Sequence, residues 1–124
     1  MAALFIIVTL AAIATYLLTI STGQLEAGIQ DEQGARAYQA ARTGIDWGAF
    51  QVLRNTSCVA SQTLTLPQGF WSKVDCSLKA TENEAGIPIN VYLITATGCN
   101  RNACGPANIE PTYVERQLQL TVTR

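Results

Sequence analysis

Apolar residues fill the first twenty positions, and the first charged side chain of the chain is Glu26. The run MAALFIIVTLAAIATYLLTI also lacks glycine and proline, so it contains no strong helix breaker. A helix of this length rises roughly 30 Å, which matches the hydrocarbon thickness of a bilayer. The pattern predicts an apolar helix over residues 1–24, which spans a membrane or packs against other apolar helices. We expect its contacts to be made by its large side chains: Met1, Leu4, Phe5, Ile6, Ile7, Val8, Leu10, Ile13, Tyr16, Leu17, Leu18 and Ile20.

Three interpretations of this apolar run compete. A secretory signal peptide requires a basic n-region and a shorter apolar core, and no Lys or Arg occurs before Arg36. A permanent single-span anchor fits the length of the run. The third interpretation is a helix that first lies in a membrane and later joins a helical filament, in which identical apolar helices bury one another.

Beyond the apolar run the helical period continues as an amphipathic pattern, which predicts a helix over residues 25–54. Small residues recur in it at three- and four-residue spacing and therefore form one stripe along the helix. The stripe consists of Gly34, Ala37, Ala41, Gly44 and Gly48. It permits the close approach of another backbone, although each glycine lowers helix propensity by up to about 1 kcal/mol. Packing on the chain's own sheet and contact with another subunit are both open for this stripe.

After residue 57 the apolar period changes to two, which is typical of strands. The alternation predicts three strands of an antiparallel sheet, over residues 73–81, 87–97 and 113–123. Residues 57–66 are a weaker fourth strand or an ordered connection. In the strand 87–97, Ile89, Val91 and Leu93 share one face. Residues 82–86 are expected to form a hairpin loop. The sheet domain, over residues 57–124, joins the amphipathic helix in one head over residues 25–124.

Four cysteines lie beyond the apolar run, at Cys58, Cys76, Cys99 and Cys104. An even number in a small exported domain indicates two disulfides, for which three pairings exist. Zinc is the alternative use of four thiols, but the chain has a single short cysteine pair and no histidine. Because the short pair closes a loop that reaches elsewhere only with difficulty, we predict that Cys99 pairs with Cys104 and Cys58 with Cys76.

Charge and catalytic chemistry add few constraints. Eight basic and nine acidic side chains give a net charge of -1, so the chain has no basic surface for nucleic acid, and we expect no nucleic-acid partner. Without histidine, clustered carboxylates or a Gly-rich phosphate loop, we expect no catalytic residues, no cofactor and no metal site. Trp47 and the pair Phe70-Trp71 are more typical of core residues than of a stacking surface.

The order of these elements resembles a mature type IV pilin or pseudopilin. The segment ALFIIVTLAAIATYLLTIS, the Cys99 to Cys104 pair and the stretch 113–120 are similar to the pilin-like proteins of mannose-sensitive haemagglutinin pilus biogenesis, the MshP type. The resemblance implies an α+β, type IV pilin-like fold, with a long N-terminal helix packed on a small antiparallel sheet with disulfides. It also implies a structural subunit, either a pilin or a minor pilin, that polymerises through its apolar helix.

The implied partners are other pilin subunits. The implied location is the bacterial inner membrane before assembly and an extracellular pilus filament afterwards, with no receptor indicated. The alternative function is a single-span, membrane-anchored periplasmic domain for binding or pilus assembly that does not polymerise.

The chain departs from the pilin pattern at two places. Pilins usually carry Glu at the fifth mature position, whereas Phe5 stands here. We therefore expect that the chain begins upstream of Met1 or that the subunit lies at a filament tip, where no charge pair is needed. Pilins also tend to carry Pro near residue 22, whereas this chain has Ser21-Thr22-Gly23, and we expect a possible interruption of the helix there.

Overall fold

The computed structural model describes residues 2–105 and 110–124 and has an α+β architecture. A helix of 54 residues, α1, is followed by four strands, and a short 3-10 turn, Pro67–Gly69, joins the first two strands. The element bounds are α1 Ala2–Asn55, β1 Gln62–Leu66, β2 Phe70–Glu84, β3 Ile87–Cys99 and β4 Glu115–Thr123. The chain divides into two compact units, Met1–Glu32 and Gln33–Arg124, and we call the second the head unit. The expected long N-terminal helix and antiparallel sheet are confirmed.

Helix α1 passes through residues 21–23 without a break, so the expected interruption there is wrong. Glycine lowers helix propensity, but unlike proline it keeps its backbone N–H, and the hydrogen-bond ladder therefore continues. At its other end the helix stops at Asn55, and Thr56 takes a left-handed backbone conformation with φ 52°. The Ser57 N–H then donates to the Gln51 carbonyl at 3.0 Å, which satisfies one of the last helical carbonyls.

The four strands form a simple meander in the order β1-β2-β3-β4, with every neighbouring pair antiparallel. The β2–β3 hairpin turns through only two residues, Ala85 and Gly86, with φ of 51° and 87°. Positive φ at both central residues is the geometry that matches the twist of a tight hairpin. Most of the expected loop at 82–86 is therefore strand.

A β-bulge interrupts β2 between Leu78 and Ala80 and shifts its pairing with β3 by one residue. On β3 the fully buried residues are Ile94 and Ala96, both with 0% exposure. The core face of β3 is thus opposite to the face shared by Ile89, Val91 and Leu93, whose side chains are half-buried. Period two identifies the two faces of a strand, but which face is covered depends on where the helix lies.

The core of the head unit lies between α1 and the sheet. Its main cluster consists of Val52, Val74, Ile94 and Ala96, and these residues are at most 2% exposed. A second cluster joins Ala37 and Ala40 to Phe70. Burying a large aliphatic side chain contributes roughly 1.5 to 3 kcal/mol, so a few such residues provide most of the stability of this small unit.

Two disulfides lie within the head unit and have the predicted pairing. Cys58 is bonded to Cys76 with their Cα atoms 5.3 Å apart, and Cys99 is bonded to Cys104 with a Cα distance of 5.5 Å. The first joins the segment after the helix to β2, where the Cys76 N–H also donates to the Val59 carbonyl at 3.1 Å. The second closes a short loop at the end of β3.

Candidate functional site

The apolar segment Ala2–Ser21 is the candidate functional surface of the first unit. It is long and apolar enough to cross a membrane, and none of its residues is buried. Exposure of its large side chains runs from 40% at Ile20 to 71% at Phe5. The exposed set contains the predicted residues Leu4, Phe5, Ile6, Ile7, Val8, Leu10, Ile13, Tyr16, Leu17, Leu18 and Ile20, while Met1 lies outside the described residues. Apolar surface of this extent requires a membrane or a partner to cover it.

The three threonine hydroxyls of the apolar segment donate to carbonyls of the same helix. Thr9 donates to the Ile6 carbonyl at 2.9 Å, and Thr19 donates to the Tyr16 carbonyl at 2.8 Å. Thr15 makes the same bond one turn back, to Ala12, at 2.9 Å. A hydroxyl that donates to a carbonyl of its own helix keeps that hydrogen bond in hydrocarbon, where no water is present. The segment is therefore compatible with a bilayer or a dry helical bundle despite its threonines.

The small-residue stripe of α1 packs against the sheet of the same head unit. All five members, Gly34, Ala37, Ala41, Gly44 and Gly48, are buried. A Cβ atom on Gly44 would lie 2.2 Å from the Ser72 Oγ, and one on Gly48 would lie 2.8 Å from the Ile94 Cγ2. Any side chain at these two glycines would therefore push the helix away from the sheet. The stripe is covered within the chain and is not a free surface for another subunit.

The sheet contributes a glycine of its own, Gly98, to the same contact. A Cβ atom there would lie 2.1 Å from the Ala37 carbonyl oxygen and 2.5 Å from the Ala41 backbone nitrogen. The helix backbone therefore rests directly on β3 at this position. A glycine within a strand often marks the close approach of another backbone, so Gly98 was a sign of this contact in the sequence.

Other exposed apolar side chains of α1 lie outside the stripe. Tyr38, Phe50 and Leu53 are 44%, 55% and 49% exposed. Trp47, by contrast, packs against the main core cluster, as expected from its position in the sequence. The amphipathic part of the helix thus has one face covered by the sheet and a second face with scattered apolar residues.

The loop after β3 is held by polar side chains that the sequence analysis did not single out. The Asn100 side chain donates to the Thr112 carbonyl at 2.7 Å and accepts from the Val114 N–H at 3.1 Å. The Tyr113 hydroxyl donates to Glu115 at 2.6 Å and accepts from the Gly105 N–H at 2.9 Å. Together with the Cys99–Cys104 disulfide, these bonds fasten both ends of the loop to the sheet.

In the described part of the chain, no group of three or more metal-ligating side chains comes together. Comparison with models of protein families, with curated proteins and with solved structures found no match. The chain therefore has two features that bear on function: an apolar helical segment of which no residue is buried, and a disulfide-bonded α+β unit with its own core.

Proposed function

We propose that this chain is a structural subunit, a pilin or minor pilin, of a type IV pilus-like extracellular filament. The proposal rests on the exposure of the apolar segment Ala2–Ser21, of which no residue is buried within the chain. In a filament of identical subunits, the apolar helices of neighbouring copies would provide that cover. The resemblance of the segment and of the late cysteines to the pilin-like proteins of mannose-sensitive haemagglutinin pilus biogenesis supports the same class.

The energetics favour burial of this segment in one apolar environment or another. Each large aliphatic side chain contributes roughly 1.5 to 3 kcal/mol on burial. Phe5 and Val8 are 71% and 65% exposed in the isolated chain, so most of this contribution is still available for a partner. The same segment fits an inner membrane before assembly and a bundle of like helices afterwards, because its threonine hydroxyls are hydrogen-bonded to the helix itself.

The head unit has properties that suit display outside the cytoplasm. Both disulfides lie in it, and disulfides persist in oxidising compartments. Its core is complete without the apolar segment, since the buried clusters contain only residues from Ala37 onward. In the proposed filament, the apolar helices polymerise and the head units face the surroundings. The proposed partners are other pilin subunits, and no enzymatic activity is assigned.

A second function is favoured by the length of the apolar segment. Ala2–Ser21 is long and apolar enough to cross a membrane once. A single-span anchor for a periplasmic binding or assembly domain is the alternative. Such a domain would remain in the membrane and would not polymerise.

Shearing distinguishes the two functions. Cells that express the chain are sheared, and the released filaments and the membrane fraction are probed with antibody against the head unit, with immunogold labelling of the filaments. A filament subunit is released by shearing and labels along the filament or at its tip. Recovery of the chain only in the membrane fraction, from cells whose other filaments are released normally, would contradict the proposal and support the anchored domain.

A further inference from the structure

The outer edge of strand β4 is left unused by the head unit. The strand order places β1 at one side of the sheet and β4 at the other. Strand β4 pairs with β3 in one uninterrupted register, from Cys99 with Glu115 to Val91 with Thr123. Among the described residues, no strand pairs with the far side of β4.

The backbone hydrogen bonds show which residues of β4 point outward. Asn90 and Arg124 exchange two bonds, at 2.6 and 2.9 Å, and the Asn100 N–H donates to the Val114 carbonyl. Even-numbered residues therefore bond to β3. Because alternate residues of an antiparallel strand bond to opposite sides, the odd-numbered residues direct their N–H and C=O groups to the outer edge. These are Glu115, Gln117, Gln119, Thr121 and Thr123.

The β2–β3 hairpin extends past the ends of β1 and β4. Unlike β4, it has edges that disfavour pairing with another strand. The bulge at Leu78 and Ala80 interrupts the outer edge of β2, and Lys79 lies at the bulge. Pro88 lies in β3 beyond the end of β4 and has no N–H to donate. Proteins protect sheet edges by such devices. At the start of β4 the Arg116 side chain donates to the Glu115 carbonyl at 2.9 Å. Beyond that residue the strand has neither a proline nor a bulge, so its edge can accept another strand.

We propose that the outer edge of β4 binds the outer edge of β1 of a second copy of this chain. The proposal rests on the filament function above. Since β1 and β4 are opposite edges of one sheet, the contact is head to tail and repeats as an open row of copies in one orientation. In that orientation β1 of one copy runs antiparallel to β4 of the next, because the chain reverses direction between every pair of strands.

The apolar residues of the two strands define the register. Leu64 and Leu66 of β1 and Leu118 of β4 are half-buried, and Leu120 is 37% exposed. Pairing Leu66 with Leu118 and Leu64 with Leu120 places all four on the helix-covered side of the joined sheet. Cross-strand apolar pairs of this kind stabilise sheets. One register thus covers the apolar side chains that each edge leaves partly exposed.

The same register pairs polar residues with one another on the face of the sheet opposite to the helix. It pairs Thr65 with Gln119 and Thr63 with Thr121, which are polar and exposed residues. The stretches 62–66 and 117–123 contain no charged residue, so their pairing removes no charge from water. In this register one head unit is shifted along the strand direction relative to its neighbour. The shift is four residues, or about 14 Å.

The size of the contact explains why a second copy occupies the edge only within a filament. Strand β1 has five residues, whereas a standard stable interface takes roughly 20 to 30 residues from each side. The contact alone is too small for a dimer in dilute solution. Apolar helices that hold neighbouring heads side by side raise the effective concentration enough for a weak contact to form.

Cysteine cross-linking tests the pairing in intact filaments of the full chain. A Thr63→Cys/Thr121→Cys variant is assembled, its filaments are sheared, and they are treated with a short bismaleimide. The paired residues would have Cα atoms about 5.5 Å apart. We expect a ladder of dimers, trimers and longer species on a denaturing gel, because each copy links to two neighbours. Each single variant should give no ladder.

Three results would overturn the pairing. Filaments of the double variant that give only monomer on the gel would contradict it while leaving the filament function intact. Dimers from Thr121→Cys alone would show β4 paired with β4. Absence of sheared filaments from the unaltered chain would overturn the filament function and this pairing together, and filament yield is measured separately from cross-linking.

A proline variant separates the edge contact from head stability. In the double-cysteine chain, Gln119→Pro removes an outward N–H but none of the bonds to β3. We expect the cross-linked fraction to fall by about tenfold, as for the loss of one hydrogen bond with added strain. Gln119→Val keeps the N–H and should cross-link normally. Equal cross-linking of the proline and valine variants would contradict the role of the β4 edge.

Discussion

In the apolar segment Ala2–Ser21 no residue is buried, whereas the head unit buries Val52, Val74 and Ile94 to 2% exposure or less. The first region hydrogen-bonds its threonine hydroxyls within its own helix but leaves its apolar side chains exposed. The second covers its apolar side chains within the chain. The difference indicates that the apolar segment is stabilised by its surroundings, while the head unit is stabilised by internal contacts.

This difference also indicates where substitutions act. A change in the apolar segment alters insertion and assembly, because none of its residues is buried within the chain. A change in the head core alters the free energy of unfolding, because a Cβ atom added at Gly44 or Gly98 would overlap atoms of the facing element.

Replacing Ile13 with Asp should abolish insertion and assembly. Ile13 is 55% exposed in the middle of the apolar segment, and an Asp at the centre of a membrane helix is unfavourable by roughly 2.5 to 3.5 kcal/mol on insertion scales. Filament yield after shearing and the membrane content of the chain measure the effect. Ile13→Leu is the matched control and should assemble normally. Normal filaments from Ile13→Asp would show that the segment does not need an apolar environment.

Removing the Cys58–Cys76 disulfide should weaken the head unit. The two cysteines are 18 residues apart in sequence, and a cross-link of that span stabilises by about 3 kcal/mol in the chain-entropy model. We expect the free energy of unfolding of the Cys58→Ala/Cys76→Ala variant to fall by most of this amount. Urea unfolding of the chain in detergent, monitored by tryptophan fluorescence, measures the change. The pair Cys99 and Cys104, only five residues apart, should contribute about 1 kcal/mol less.

Peptide mapping without reduction checks the pairing on which that prediction depends. A cross-linked peptide joining Cys58 to Cys104 would show that the disulfides are arranged differently. Equal losses of stability from Cys58→Ala/Cys76→Ala and Cys99→Ala/Cys104→Ala would indicate that strain, not loop length, determines the contribution of each disulfide.

Gly98→Ala should destabilise the head unit by about 2 kcal/mol, in the range of overpacked cores. The new Cβ would lie 2.1 Å from a backbone oxygen of the helix, where no flexible side chain can move aside. Urea unfolding measures the change. Gly28→Ala is the control, because a Cβ there meets nothing within 4 Å, and it should be neutral or slightly stabilising. Equal midpoints for Gly98→Ala and the unaltered chain would show that the helix does not rest on β3.

Local patterns predicted much of this fold because they depend on nearby residues. The apolar run needs only length and composition, and the small-residue stripe needs only the helical period. Alternation also predicted a strand over residues 113–123, and β4 lies within that range, at Glu115–Thr123. The two disulfide pairs followed from the shortness of one loop.

Features that depend on distant contacts were not predictable in this way. The covered face of β3 is that of Ile94 and not that of Leu93, because the position of the helix decides it. The bulge in β2 and the hydrogen bonds of Asn100 likewise require the partner strand or loop to be in place. For the candidate site, the sequence identified the apolar segment, but its role in assembly stays a prediction until filaments are examined.

The smallest expected effect concerns the tip of the β2–β3 hairpin. Ala85 adopts φ 51°, a left-handed conformation in which a Cβ is unfavourable, and it precedes Gly86 in the two-residue turn. Ala85→Gly should relieve this strain and Ala85→Asn should supply a residue that tolerates it, so each should stabilise the head unit by about 0.5 to 1 kcal/mol. Urea midpoints measure the gain, and Gly86→Ala, with φ 87° at the mutated residue, should reverse it. Because the tip belongs to the head unit alone, these variants should leave filament yield unchanged. A loss of filaments from Ala85→Gly without a loss of stability would mean that the hairpin takes part in assembly, and that the division of roles between the two regions is incomplete.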